Sequence, residues 1–168
     1  IAVPGAIRLE EDFRVKVRFR PVLPLAVREP SFFRPDNLKR ARYIRVDFPR
    51  RAEMLGFPHA WPSPDPIVQD MKTYKIAEEQ PYIHRLTWLG VEAERRGQGL
   101  AFAREVSSLI FGGTRDWHLG SHLAEAAKRA GLDLASMDAA IADPASHRVA
   151  VEENQEALAK AGHWGVPT

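Results

Sequence analysis

Nine of the thirteen prolines in this 168-residue chain fall at positions 21, 24, 30, 35, 49, 58, 62, 64 and 66. Each removes a backbone donor and fixes φ near roughly −65°, so this stretch cannot supply a central strand or one long regular element. It is expected as extended loops punctuated by short helices. One helix is predicted over Leu38 to Val46. A second is predicted to start with Asp47 as N-cap, to tolerate Pro49 in its first turn and to stop at Gly56. The aromatic and proline run from Phe57 to Pro66 is expected to be irregular.

The flanks follow different rules. Ala2 to Asp12 reads as a helix feeding into a strand over Phe13 to Arg20, where Arg14, Lys16, Arg18 and Arg20 share one face and Phe13, Val15, Val17 and Phe19 the other. A lone strand cannot satisfy its ladder groups in water. More strands are therefore expected outside a chain that starts at Ile1 and stops in mid-pattern at Thr168. From Tyr82 to Phe111 the pattern is helical, with Phe102, Val106, Leu109 and Ile110 on one stripe, and Gly97 and Gly99 predict a kink or a close helix contact. Helices are also predicted over Ser121 to Ala130, over Ser136 to Ala142, and from Asp143-Pro144 to the residues before Gly162.

At 45% hydrophobic and 27% charged the chain reads as an ordinary globular domain. With no Cys it holds no disulfide, thiolate metal site or Cys nucleophile of its own. The net charge of +2 predicts no nucleic-acid footprint, although Lys39, Arg40, Arg42, Arg45, Arg50 and Arg51 form a local basic cluster. That cluster suits either a solvated face or an electropositive approach for a small anion. No run of about 20 apolar residues exists to span a bilayer.

Two segments carry a family resemblance. One is Tyr43 to Pro58, with its Tyr43, Asp47, Arg50-Arg51 and Gly56-Phe57-Pro58 pattern. The other is Asn154-Gln155-Glu156-Ala157 followed by Gly162-His163-Trp164-Gly165-Val166-Pro167-Thr168. Ile110-Phe111-Gly112-Gly113, Trp117 and Gly131-Leu132-Asp133 lie between at matching places. Together they resemble the 2-hydroxychromene-2-carboxylate isomerases and kappa-class glutathione transferases, in the DsbA-like branch of the thioredoxin superfamily.

The resemblance implies an α/β fold, a thioredoxin-like domain with a large all-helical insertion. Residues 1–24 would be the N-terminal part of the thioredoxin-like domain, 25–142 the insertion, and 143–168 the return with a cis Val166-Pro167 bond. It implies glutathione as cofactor, held through the Val166 backbone with Pro167 and Thr168, and a catalytic Ser upstream of residue 1 at the start of the first helix. A helix N-terminus favours a thiolate, here that of glutathione. The implied reaction is thiolate addition to an aromatic carboxylate substrate, rotation about the freed bond, and elimination. A cytoplasmic homodimer is implied too.

Such a substrate calls for a partly basic, partly aromatic pocket, with Asn37, Arg40, Tyr43 and Trp61 as candidates. This sequence has Phe32-Phe33-Arg34-Pro35 where the family carries small and polar residues. Tyr43 and Trp61 also have plainer readings, a packed ring with its hydroxyl at the surface and a hydrophobic plug. His118 and His122 have metal-ligand spacing but no third ligand by motif. Gly97-Gln98-Gly99 and Gly112-Gly113-Thr114 lack the context of phosphate loops. The alternatives are a thiol-disulfide oxidoreductase with its Cys-x-x-Cys upstream of Ile1, and a catalytically silent thioredoxin-like binding module.

Overall fold

The apolar pattern of the central residues closes around Trp117, Leu89 and Met137, the largest fully buried side chains in a computed structural model of the chain. The structure describes all residues except 34–37, 71, 74, 164, 167 and 168, and leaves undescribed the side chains of Phe33, Leu38, Arg40 and Ala41. Around this centre pack α4 (Ile83–Arg95), α5 (Gly99–Phe111), α6 (His122–Arg129) and α7 (Leu134–Ala140). The predicted stripe Phe102, Val106, Leu109 and Ile110 is buried along α5. Burial of such side chains contributes about 1.5–3 kcal/mol each. Two further helices lie against this unit, α1 (Val3–Asp12) on α5 and α8 (Ala145–Lys160) on α4.

The expected single helix over Tyr82 to Phe111 is two helices. Gly97 adopts φ +74° and turns the chain between α4 and α5, a conformation that costs a side-chain-bearing residue most and glycine least. Conversely, the two helices expected on either side of Asp47 are one, α3 (Leu38–Met54), after the short α2 (Leu25–Arg28) and a 3₁₀ turn at Pro30–Phe33. Asp47 is not an N-cap; its carboxylate accepts the Tyr43 hydroxyl at 3.5 Å. Pro49 removes one donor from α3, and the helix continues because the surrounding turns are anchored. Ala52 is buried, and the Phe48 ring packs edge-on against Trp61 and Phe111.

Residues 15–20 run extended, but among the described residues they pair with no strand. The only bridges there are the isolated Ser63–Arg115 and Gln69–Ile76 pairs. The alternation of Phe13 to Arg20 is thus present without a ladder, for want of a partner. α7 begins two residues earlier than its pattern suggests because Asp133 caps it, accepting the Ser136 N–H at 2.8 Å.

The proline loop is irregular as expected and is stapled to the core. Ala60 N–H donates to Phe111 O at 2.7 Å, Asp116 N–H to Ser63 O at 2.8 Å, and the Trp117 indole N–H to Pro64 O at 2.8 Å. Trp117 thereby joins core and loop. Trp117→Phe removes the indole donor and part of the ring, and is expected to cost about 2–4 kcal/mol in urea or thermal unfolding.

Candidate functional site

Gly90 and Gly99 make room for the extended segment. A Cβ on Gly99 would lie 2.9 Å from Phe19 Cβ, and one on Gly90 would lie 3.1 Å from Pro21 Cγ. The segment therefore settles directly on the backbone of α4 and α5, where Phe19 is half-buried and Pro21 buried. From the other side α8 clamps it. The Arg20 guanidinium donates to Asn154 Oδ1 at 2.8 Å, Asn154 Nδ2 donates to Pro21 O at 2.9 Å, and Leu23 N–H donates to Gln155 Oε1 at 3.2 Å. Two motif residues, Asn154 and Gln155, thus have a clear physical task.

These contacts leave an open groove of about 930 Å3 between α1, the extended segment, α4, α5 and α8. Its floor is apolar, with Leu86, Phe102, Val106 and Leu158. The first turn of α1 (Ala2 and Val3), Arg18, Arg20 and Val166 also line it. That first turn carries no acidic residue. Arg18 has no ion-pair partner among the described residues, and Val166 is 62% exposed.

The sequence candidates divide unequally. Val166 lines the groove. Pro167, Thr168 and Asn37 lie outside the described residues, as does the side chain of Arg40. Tyr43 and Trp61 are described but do not line this groove. Tyr43 is exposed on α3. Trp61 stacks beneath the Arg45 guanidinium, 5.4 Å from the ring centroid, beside Phe48. The sequence placed Arg45 only within a basic cluster, and gave no functional role to Gly90 or to the joint contribution of Ala2 and Val3 to one groove with Val166. Glycine in a helical pattern is the one local signal that marked such a close approach.

A polar cluster sits apart, where α4 meets α8. The Glu92 carboxylate accepts from Arg96 Nε at 2.8 Å and lies 3.0 Å from His147 Nε2; both Glu92 and His147 are buried. Burial pushes the Glu92 carboxyl up, but the hydrogen bonds from His147 and Arg96 outweigh it and hold the group below the usual glutamate range. His118 packs its ring on Tyr82 and leaves Nδ1 buried without a partner. Among the described residues no three His, Asp or Glu side chains are grouped so as to hold a metal, and no helix is long and apolar enough to cross a membrane.

The DsbA-like thioredoxin domain model matches residues 5–168. The chain belongs to the DsbA-like thioredoxin domain family. No curated protein matches it significantly. As a DsbA-like chain it has an α/β, thioredoxin-like fold with a helical insertion, and the eight α-helices described here are what that insertion and its flanks contribute. In this DsbA-like chain Gly99 is where the Phe19 side chain and the Glu94 carboxylate crowd the backbone of α5. Gly99→Ala is expected to displace Phe19 and destabilise the chain by about 1–3 kcal/mol. Denaturant unfolding, with hydrogen exchange at the Val17 and Leu23 amides, checks both effects.

Proposed function

We propose that this chain is the scaffold of a glutathione-dependent isomerase of the 2-hydroxychromene-2-carboxylate isomerase type, acting on an aromatic carboxylate. The observation that supports it is the convergence of three features on one groove: the first turn of α1, the backbone at Val166, and the cations Arg18 and Arg20. The start of the first helix, where the resemblance puts the Ser, favours an anion. An exposed residue before a proline offers its N–H and C=O to a peptide-like ligand as an added strand would.

Residues 1–24 and 143–168 then form the thioredoxin-like part, and 25–142 the insertion. In that division the apolar floor is the surface that faces a sheet, and the ligand lies at the rim. The residues present fit glutathione there. The N–H and C=O of Val166 pair with its cysteinyl unit, Arg18 faces a carboxylate without losing an existing ion pair, and its sulfur faces the start of the first helix, which the resemblance puts upstream of residue 1 together with the Ser. Glutathione supplies the nucleophilic thiol that a chain without cysteine does not hold. Arg45 and Trp61, with Tyr43 on the same helix as Arg45, form the aromatic and basic surface offered to the substrate's ring and carboxylate.

The test is glutathione-dependent conversion of a hydroxychromene carboxylate by the full-length protein, with glutathione affinity measured by calorimetry. Val166→Pro, which removes the amide donor, is expected to weaken glutathione binding tenfold or more, since a hydrogen bond to a charged or strongly polar ligand contributes about 1.5–3 kcal/mol. Val166→Ala, which keeps that donor, is expected to bind as the parent does. Equal affinity in all three proteins, or no glutathione binding at all, contradicts the proposal.

A further inference from the structure

One nitrogen of His147 faces two incompatible partners. Nε2 lies 3.0 Å from Glu92 Oε2, an acceptor, and 3.1 Å from Arg95 Nη1, a donor. A nitrogen bearing hydrogen can serve the carboxylate but not the guanidinium; a bare nitrogen can serve the guanidinium but not the carboxylate. The ring is 2% exposed and its Nδ1 has no partner among the described residues. Arg95 already has somewhere to go. Its Nη1 is 3.2 Å from Ser146 Oγ, and its Nη2 donates to Ser146 O at 3.1 Å.

We infer that His147 is a proton-operated latch between α4 and α8: with a proton on Nε2 it holds Glu92, and when the ring has lost one proton and keeps the other on Nδ1 the bare Nε2 holds Arg95, which otherwise rests on Ser146. From α4 the charged groups facing the ring are Glu92 and Arg95, with Arg96 behind Glu92. On α8 the adjacent group is Ser146. α7 contributes only Ser136, which binds Arg96 at 2.9 Å, and no ionisable group of α7 bonds to the cluster. The latch grips the first turn of α8, the helix whose later turns carry Asn154 and Gln155. It stands whether or not glutathione binds at the groove.

Nitrogen-detected NMR of the imidazole and guanidinium groups in the whole chain, over about pH 5 to 9, tests it. The expected result is one midpoint: the Arg95 guanidinium signals shift together with protonation of His147 Nε2. Glu92→Gln removes the anion that favours the charged ring and is expected to lower that midpoint by about one pH unit. Arg95→Gln removes the opposing cation and is expected to raise it by about one unit. In His147→Gln the Arg95 signals are expected to lose their pH dependence. Arg95 signals that stay constant while His147 titrates overturn the latch, as do midpoints that move the same way in both charge variants. If a variant fails to fold, the coincidence of the two midpoints in the parent decides alone.

Discussion

The close seating of residues 19–21 on Gly90 and Gly99 is the constraint on which the remaining architecture depends. Helical glycines cost about 1 kcal/mol each relative to alanine. Here that cost allows a backbone approach that no larger residue permits without displacing Phe19 or Pro21. Once the extended segment lies there, α1 is carried over α5 at one end, and Asn154 and Gln155 reach the segment from α8 at the other. The first turn of α1 and the residues after α8, far apart in sequence, then border the same groove.

Beside that seam the core is conventional and strong. Trp117 has both its ring buried and its indole N–H satisfied, so a loop with four prolines between Phe57 and Pro66 and the aromatic residues of α3 is fixed relative to the bundle. Buried Gln80 does similar work further along. Its amide binds both the N–H and the C=O of Val68 at 2.9 Å, completing by side chain what a neighbouring strand would otherwise complete. The irregular region is thus held by specific hydrogen bonds to its backbone rather than by regular elements.

Much of this was legible in the sequence where information is local. The stripe on α5, the start of α8 after Asp143-Pro144 and its end before Gly162 follow from spacing and capping, and the paired motifs indicated the superfamily that the match over residues 5–168 bears out. Pairings across long sequence separations were not legible. His147 and Glu92 are 55 residues apart, and each alone reads as an ordinary helical residue. The continuity of α3 through Pro49 was equally hidden, because it depends on Phe48 and Ala52 being anchored by groups that only the fold brings near. Arg18 and Arg20 appeared in a basic alternation, but which of them stays unpaired follows from the position of Asn154.

The central claim is that the α1 N-terminal turn and Val166 form one glutathione-binding rim. The most direct test is photo-crosslinking with a glutathione derivative that carries a photoreactive group near its sulfur, followed by peptide mapping of the full protein. Labelling confined to the first turn of α1 and the Val166 region, and suppressed by free glutathione, is the expected result. Labelling concentrated on α3 and Trp61, or labelling that free glutathione does not compete away, would contradict it.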